Sequence, residues 1–419
     1  MTDASVRAPR RVGGPWLTFF AIAWLAVWTA QLTPIQLLLP LQLDTPGGKS
    51  AWVGGVVWSG LILSVGGMAG VIAGPIAGAL SDRTASRWGR RRPWVLSGSV
   101  LTAASLVLTG LQTEPMMVGA AWIGVSIGIA VTSAALTALI ADQIDEQRGA
   151  ASALVSSAQA VGIVVGVGAV VLLGLGILEG YLVLAGFMLI VGIGAALLLP
   201  DPFHAESGGV ESRRDRWGAL RDHDFRWLLA GRLAVNIGNA LGTALLLFFV
   251  LYGIGSPAAT AEDDLLLLIV IYTVFVVAAS LLAGRISDRS GRRRTLVIGS
   301  ALVQALSAIM ILAAPTFLGT AIAAAVMGIG YGAYMSVSLA LATDLLPDGL
   351  DSARDLGVVN VSASLGQLLG PLIGAGLVAA MGGFWLLFAA AGALSVVGAV
   401  MTAAVRPARE SRRPDPAVR

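Results

Sequence analysis

The sequence contains no cysteine, two histidines and few charged residues. Without cysteine there can be no disulfide, thiolate metal site or cysteine nucleophile. Charged residues make up 12% of the chain and hydrophobic residues 56%, whereas a soluble domain carries about 25% charged residues. Such a chain could not cover its surface with polar groups in water. We therefore expect it to fold in lipid, where each crossing segment satisfies its own backbone hydrogen bonds by forming a helix.

Long apolar runs fill most of the chain, and many are near the ~20 residues that cross a bilayer. They predict an all-α membrane protein of twelve transmembrane helices, arranged as two six-helix pseudo-repeats around a central cavity. The expected domains are an N-terminal half at 1–199, a cytoplasmic linker at 200–226 and a C-terminal half at 227–419 with a short basic tail. The predicted spans are 16–40, 52–80, 94–112, 116–140, 152–176, 181–199, 227–252, 265–284, 295–313, 317–342, 357–380 and 384–404.

Basic residues between the predicted spans fall on one side of the membrane. Arginines cluster at 83–92, 213–221 and 285–294, and in the tail from Arg406, while Lys49 alone occupies an outer loop. The positive-inside rule then places both termini in the cytoplasm. This predicts a multi-pass plasma-membrane protein whose basic loops contact anionic lipids at the cytoplasmic surface. Nucleic acid is not an expected partner, because these loops lie next to the membrane.

Charged landmarks recur in the two halves at nearly constant spacing, with Asp288 following Asp82 by 206 residues (288 − 82). A duplicated six-span unit is typical of secondary transporters. The matched landmarks are Gly78, Asp82 and Arg83 with Gly284, Asp288 and Arg289, and Asp142 and Arg148 with Asp344 and Arg354.

The repeated stretch Gly-x-x-Ser-Asp-Arg, followed by Gly-Arg-Arg-Arg, resembles the signature loop of the major facilitator superfamily. Its first copy, from Ser81 to Pro93, is similar to plant sucrose carriers and to the wider glycoside–pentoside–hexuronide group. Leu32-Thr33-Pro34 and Leu139-Ile140-Ala141-Asp142 are also similar. The resemblance implies a transporter of a small solute, most of all a sugar or glycoside, that works by alternating access without a cofactor or metal. It also implies coupling to protons.

A cytoplasmic latch is the first site that these residues suggest. Asp82 and Asp288 end spans two and eight, where carboxylates can pair with neighbouring arginines. Facilitator folds imply that these pairs face spans eleven and five and hold the inner side closed. Alternatively, the arginines only set topology and bind lipid. The predicted latch comprises Gly78, Asp82, Arg83, Arg90, Arg91, Asp142 and Arg148, with Gly284, Asp288, Arg289, Arg292, Asp344 and Arg354.

A substrate cavity is the second predicted site, because polar residues inside a bilayer usually mark function. The resemblance implies that spans one, four, seven and ten line this cavity. Their amides, hydroxyls and aromatic rings suit a neutral, hydroxyl-rich solute; alternatively, the tryptophans face lipid and the amides only join helices. The candidates are Trp28, Gln31, Thr132, Thr137, Asn236, Asn239, Tyr331 and Tyr334.

Glycines four residues apart lie along span two, from Gly66 to Gly78, and along span eleven, from Gly366 to Gly374. This spacing places them on one helix face, where a neighbouring backbone can approach closely. Two hypotheses fit the pattern. The glycines form static packing surfaces, or spans two and eleven slide against each other during transport, as the resemblance implies.

Other functions stay open at this point. Thr137 stands where sucrose carriers have an arginine, which favours an exporter of a hydrophobic metabolite or drug as the alternative. A non-transporting receptor or a scramblase is a further alternative. An enzyme is not expected, because no nucleophile and base or metal cluster lies within a span. If protons are coupled, Asp142 is the predicted carrier, with Arg148 as its partner; otherwise the protein only equilibrates its solute.

Overall fold

A computed structural model describes residues 12–44, 51–143, 148–201, 222–345 and 352–406, without the side chains of residues 141, 148–150, 352–361 and 363. Within these ranges the regular secondary structure is entirely helical. We number the helices α1 (Gly14–Leu43), α2 (Ala51–Asp82), α3 (Arg92–Leu111), α4 (Pro115–Gln143), α5 (Arg148–Leu172), α6 (Ile177–Leu198), α7a (His223–Ala244), α7b (Leu246–Ile254), α8 (Ala261–Ser290), α9 (Arg293–Ala313), α10 (Phe317–Leu345), α11 (Ser352–Met381) and α12 (Trp385–Ala403).

Eleven of the described helices are long and apolar enough to cross a membrane. The pair α7a and α7b, bent by 48°, supplies a twelfth span when it is counted as one. The predicted all-α membrane fold is therefore confirmed. The largest boundary difference is at α8, which was expected to end at residue 284 but continues to Ser290, where Gly291 adopts a left-handed conformation with φ 63°. Glycine tolerates that conformation and commonly ends helices, so Asp288 lies on the helix instead of in a loop.

The first helix of each sequence half contains a π-helical turn. In α1 this turn covers Pro34–Leu38, and it begins at a proline, which cannot donate the usual backbone hydrogen bond. Between α7a and α7b the chain leaves helical geometry at Leu245, with φ −113° and ψ 21°. A π turn follows within α7b at Phe249–Ile254. Such turns inside long helices often accompany functional sites. Their matching occurrence adds a structural feature to the repeat.

The chain forms two compact units. Unit 1 contains Met1–Gln42 and Val65–Gly208, and unit 2 contains Leu43–Ser64 and Gly209–Arg419. Helix α2 is thus shared, because its residues up to Ser64 pack in unit 2 and its remainder packs in unit 1. The domain boundaries predicted at residues 199 and 227 stay a prediction.

The helices pack in equivalent pairs within each unit. In unit 1, α3 packs on α4 and α6, and α1 packs on α5 and α6. In unit 2, α9 packs on α10 and α12, and α7a packs on α11 and α12. Each helix of the second set follows its counterpart by six spans. The packing therefore repeats the duplication that the charged landmarks indicated.

Glycines bring the fifth helix of each set against the first. Gly162 of α5 lies against Thr29 of α1, whose Oγ1 donates to the Gly162 carbonyl over 3.1 Å. In unit 2, Gly366 of α11 lies against Asn236 of α7a, and Gly370 lies against Ala240. The predicted glycine surface of α11 is thus occupied by α7a, which favours the static-packing hypothesis for this helix.

Helix α2 meets α11 through other residues of unit 2. Ser64 donates its hydroxyl to the carbonyl of Leu368 over 2.7 Å, and a Cβ on Gly60 would collide with Ala375 and the Pro371 carbonyl. Further along α2, Gly66 packs against Trp122 and Ser126 of α4 in unit 1. The close approach of α2 and α11 therefore involves Gly60 and Ser64 of α2, which precede the predicted glycines of that helix.

Candidate functional site

A buried polar cluster joins α7a and α10 in unit 2. We define the α7–α10 cluster as Arg232, Asn236, Tyr331, Tyr334 and Ser338. Asn236 donates from Nδ2 to the Arg232 carbonyl over 2.7 Å and accepts at Oδ1 from the Tyr331 hydroxyl over 2.9 Å. The Arg232 guanidinium donates to Ser338 Oγ. This network lies in an apolar helix bundle, where each unmet polar group would cost about 1–3 kcal/mol.

Arg232 is the charged member of the α7–α10 cluster and is only 1% exposed. It lies nine residues after the start of α7a, or about 14 Å along the helix axis, and five residues inside the predicted span 227–252. Tyr331 and Tyr334 of α10 lie near its charge. Arg232 was not a predicted site residue, although an arginine inside a predicted span is itself a signal of function.

Two predicted cavity residues of α7a differ in their surroundings. Asn236 is 3% exposed and hydrogen-bonded at both ends of its amide. Asn239 is partly exposed and accepts at Oδ1 from the hydroxyl of Tyr272 on α8, over 2.9 Å. Tyr272 is also partly exposed and was not predicted, because span eight was not among the expected cavity helices. The Asn239–Tyr272 pair is thus the more accessible polar surface.

The two tyrosines predicted on α10 also separate by exposure. Tyr334 is completely buried and belongs to a hydrophobic core with Phe225 and Leu228. Tyr331 is partly exposed and reaches Asn236 through its hydroxyl. Tyr331 is therefore the tyrosine better placed to meet a ligand.

An aromatic row runs along α1 in unit 1. The rings of Trp16, Phe20, Trp24 and Trp28 follow one another with centroid distances of 4.8, 6.4 and 6.1 Å. Trp24 is 6% exposed, so it packs inside the unit instead of facing lipid. Trp28 is half-buried, as is Gln31 one turn further on, and the Trp28 indole nitrogen has no acceptor among the described residues. The indole nitrogen itself is buried, so Trp28 presents its ring and Gln31 presents the amide of this row.

The two predicted threonines of α4 occupy different surroundings from this row. Thr132 is 2% exposed, donates to the Gly128 carbonyl over 3.0 Å and packs against Gly98 of α3. Thr137 is exposed. The structure thus places Thr132 in the packing between α3 and α4, because its short side chain fits where the two helices approach most closely.

Carboxylates surround Arg91 at the arginine-rich end of unit 1. Its guanidinium contacts Asp82 over 2.6 Å, Asp142 over 2.8 Å and Ser81 Oγ over 2.9 Å. Arg90 adds a second contact to Asp142 at 3.3 Å. These contacts join the end of α2, the start of α3 and the end of α4. We call Asp82, Arg90, Arg91 and Asp142 the unit 1 charge cluster.

Burial and charge act in opposite directions on Arg91, which is 3% exposed. Burial alone lowers the pKa of its guanidinium, but the hydrogen bonds and charges of Asp142 and Asp82 raise that pKa above its ordinary value. The guanidinium therefore stays protonated where it lies between the two carboxylates. Asp201, which was not predicted, supports the same turn by accepting the backbone N–H groups of Arg91 and Arg92 over 2.6 and 3.0 Å.

Unit 2 contains an equivalent arrangement, the unit 2 charge cluster of Asp288, Arg293 and Asp344. Arg293 lies 3.8 Å from Asp288 and forms an ion pair with Asp344. Arg292 was the predicted latch residue, but its side chain is exposed and it occupies the N-cap position of α9 without a capping hydrogen bond from its side chain. The repeat could have identified Arg293, since it follows Arg91 by the same 202 residues (293 − 91, 344 − 142) that separate Asp344 from Asp142.

The remaining predicted latch residues show no common contact. Arg83 and Arg289 are exposed, Gly78 borders open space, and Gly284 lies close to Ser336. The side chains of Arg148 and Arg354 lie outside the described residues. Among the residues that the structure describes, no group of three histidine, aspartate or glutamate side chains is placed to hold a metal ion.

The chain is similar in sequence to a known protein family and to segments of several known proteins. Residues 55–384 match the model of a family described as MFS/sugar transport protein. The multidrug resistance protein Stp of Mycobacterium tuberculosis is 31% identical over 131 residues, which are 31% of this chain and 24% of Stp. The rice (Oryza sativa subsp. japonica) sucrose transport protein SUT1 is 37% identical over 76 residues, 18% of this chain and 14% of SUT1. The chain thus spans about a quarter or less of the length of these two relatives.

A solved structure of similar fold covers nearly the whole chain. The nucleoside transporter NupG, determined as a mutant, aligns with a TM-score of 0.75 over 94% of this chain and 99% of its own, at 13% sequence identity. At that identity the likeness concerns the fold alone.

Proposed function

Because the chain belongs to the MFS/sugar transport protein family, we propose that it carries a small solute across the membrane by alternating access. The proposed solute class is a sugar or glycoside. The observation that carries this proposal is the set of partly exposed asparagine, glutamine, tyrosine and tryptophan side chains within helices that are otherwise apolar. Sugars present many hydroxyls and flat apolar ring faces, which such groups bind well.

The solute contacts proposed in unit 2 are Asn239, Tyr272 and Tyr331. All three are partly exposed, and their polar ends already exchange hydrogen bonds with protein groups. A solute hydroxyl can replace the tyrosine donor at Asn239 without leaving that amide unmet. In unit 1 the proposed contacts are Trp28, through its half-buried ring, and Gln31.

The two charge clusters are proposed to hold helix ends together and to change their contacts during transport. In each cluster an arginine lies between carboxylates from the ends of two helices. Loss of one arginine–carboxylate ion pair would loosen the end of a helix but leave the rest of that helix folded. This supports a latch more than a purely topological role, since exposed loop arginines would not need paired carboxylates.

A plasma-membrane location with both termini in the cytoplasm is proposed from the distribution of arginine. Anionic lipids are the proposed partners of the exposed Arg83, Arg87 and Arg289 side chains. Reporter fusions after positions 90 and 290 and at the C-terminus test the orientation. All should report a cytoplasmic location, and a fusion after position 90 on the opposite side would refute the twelve-span topology.

Facilitation is proposed instead of coupling to protons. Asp142 pairs with both Arg90 and Arg91, so protonating it would break two ion pairs. We therefore propose that Asp142 is a structural anion and that the solute equilibrates down its own gradient.

An exporter of a hydrophobic compound is the second candidate function. The likeness to Stp, which is named as a multidrug resistance protein, favours it, as does the low number of charged groups in the spans.

Reconstituted protein tests these functions together. Counterflow of labelled sugars into preloaded proteoliposomes is expected, with hydrophobic dyes as the comparison set. Facilitation predicts counterflow without accumulation when an inward proton gradient is imposed. Accumulation that is lost in Asp142→Asn while counterflow persists would instead establish proton coupling through Asp142. Dye transport without sugar counterflow would favour the exporter, and absence of any solute flux would leave a receptor or scramblase.

A further inference from the structure

The two most buried arginines of the described spans and their ends have opposite surroundings. Arg91 lies between two carboxylates and also contacts a serine hydroxyl. Arg232, at 1% exposure, donates to Ser338 Oγ, and Tyr331 and Tyr334 lie near it on the same helix as Ser338. Among the described residues no carboxylate lies within ion-pair distance of Arg232, and its Nε–H has no acceptor.

Such an arrangement is costly unless an anion completes it. Arginine does not lose its proton in proteins, so Arg232 cannot escape burial by becoming neutral. Taking a cation out of water costs several kcal/mol even after the protein relaxes. Hydroxyl groups recover part of that cost through their oxygen lone pairs, but they supply no net negative charge. The charge and the open Nε–H therefore define one half of an ion pair.

We propose that the α7–α10 cluster is a binding site for a monoanionic group, in which Arg232 is the cation and Ser338, Tyr331 and Tyr334 surround it with hydroxyls. The group is the carboxylate of the transported solute or a free halide, which share this chemistry. A carboxylate matches the planar guanidinium through paired hydrogen bonds, and a halide accepts from the same N–H and O–H groups.

Tyr331 provides the route to this site. It is the partly exposed member of the cluster, whereas Arg232, Tyr334 and Ser338 are buried. Its hydroxyl is held by Asn236, whose Nδ2 in turn donates to the Arg232 backbone. Turning the Tyr331 side chain away from Asn236 would expose the guanidinium to a ligand and free one amide acceptor. Anion binding therefore requires a change at Tyr331, and an anion at Arg232 should weaken the Tyr331–Asn236 contact.

Thermal unfolding of the purified full-length protein tests the site without requiring transport. Sodium chloride and sodium gluconate are titrated, with sorbitol as the uncharged polyol control at matched osmolarity and sodium sulfate as the ionic-strength control. A ligand that binds only the folded state raises Tm in proportion to the logarithm of its concentration. We expect a saturable rise with chloride or gluconate and no saturable rise with sorbitol or sulfate.

Variants on the same helix assign the effect to Arg232. Arg232→Gln and Arg232→Met should lose the anion-dependent rise, while Arg232→Lys should keep a reduced one. Arg226→Gln is the matched control, since Arg226 is an exposed arginine of α7a, and it should respond like the parent protein. In anion-poor buffer, Arg232→Met should unfold at or above the parent temperature, because an uncompensated buried charge is removed. If Arg232→Gln and Arg232→Met do not fold, the comparison of Arg232→Lys with the parent protein still tests the site. The anion-dependent rise in Tm should then be smaller in Arg232→Lys than in the parent protein.

The anion source follows from which salt acts. A rise with gluconate at concentrations where chloride has no effect assigns the site to a solute carboxylate, and this assignment rests on the proposed transport function. Gluconate should then compete for counterflow at least tenfold better than sorbitol, and Arg232→Lys should reduce that advantage. A rise with chloride alone assigns a free halide site.

The inference fails if neither anion raises Tm of the parent protein, or if the rise persists in Arg232→Gln. If sugar counterflow is absent but the anion-dependent rise in Tm is intact, the proposed transport of sugars is refuted and the anion site is not.

Discussion

At the scale of single residues, two asparagines three positions apart on α7a differ in their hydrogen-bond partners. Asn236 is buried and uses both ends of its amide, so its removal leaves the Tyr331 hydroxyl and the Arg232 carbonyl without their partner. Asn239 lies at a partly exposed position and has one tyrosine partner. The first residue therefore mainly supports the helix pair, and the second is available to a solute.

Alanine substitutions should separate these roles. Asn236→Ala is expected to lower the free energy of unfolding by about 1–3 kcal/mol, the usual cost of leaving buried polar groups unmet. Asn239→Ala should change stability by less than about 1 kcal/mol but weaken solute binding about tenfold. Thermal unfolding and counterflow competition measure the two effects. Equal loss of stability with unchanged binding in both variants would mean that both amides serve only in packing.

Arg91 permits a second residue-scale prediction, with Arg83 as its control in the same loop. Arg91→Ala removes a 3% exposed cation from two carboxylates and a serine. We expect a loss of about 2–3 kcal/mol, below the ~3–5 kcal/mol of a fully buried pair because Asp82 is 61% exposed. Arg83→Ala, at an exposed position, should change stability by less than about 0.5 kcal/mol. Thermal unfolding that shows similar losses for the two variants would contradict the charge cluster.

At the scale of elements, α2 is a continuous helix whose first part packs in unit 2. Trp52 stacks on Tyr252 at 4.9 Å and on Phe384 at 5.3 Å between ring centroids. The Tyr252 hydroxyl lies 2.8 and 2.9 Å from the two carboxylate oxygens of Asp44. These contacts anchor residues 43–64 within unit 2.

Trp52→Ala should loosen the start of α2, because it removes both ring contacts at once. The chain has no cysteine, so Ser59→Cys supplies a unique thiol at a fully buried position of α2. Thiol labelling is expected to be at least tenfold faster in the Trp52→Ala background. Trp58→Ala is the control, since Trp58 is 37% exposed on the same helix, and it should leave the rate nearly unchanged. Equal rates in all backgrounds would show that the ring stack does not hold the helix.

At the scale of the whole molecule, the duplicated charge clusters are the feature that both units share. Asp82 lies 2.6 Å from Arg91, whereas Asp288 lies 3.8 Å from Arg293. A shorter charge-assisted contact is generally the stronger one. Asp82 and Asp288 should therefore contribute unequally to the resting conformation, although they occupy matched positions in the repeat.

Asparagine substitutions test this inequality. Asp82→Asn and Asp288→Asn should both keep the protein folded and increase accessibility at the arginine-rich helix ends. The effect of Asp82→Asn should be several-fold larger, because it loses the shorter contact to a buried arginine. Labelling of single cysteines introduced at Thr84 and Ser290 reports the change. Unchanged labelling and unchanged counterflow in Asp82→Asn would remove the latch proposal.

The spans, their number and the duplication follow from the sequence alone. Apolar runs of membrane length leave the backbone no alternative to helices in lipid, and the charged landmarks repeat at nearly constant spacing. The same landmarks support the resemblance to the major facilitator superfamily, which the family match over residues 55–384 confirms. These features belong to single segments and to the spacing between segments, so composition and spacing are sufficient to identify them.

Tertiary structure decided which side chains meet. The choice of Arg293 over Arg292, the burial of Thr132 between α3 and α4, and the pairing of Asn239 with Tyr272 depend on how each helix is rotated about its axis. The hydrophobic pattern hardly specifies that rotation, because these helices are apolar on most sides. Among the described residues, the contact of Arg232 with Ser338 and not with a carboxylate also depends on how α7a packs on α10, which lies about 100 positions away in sequence. Only the packed helices determine those contacts, since close packing selects one rotation for each helix.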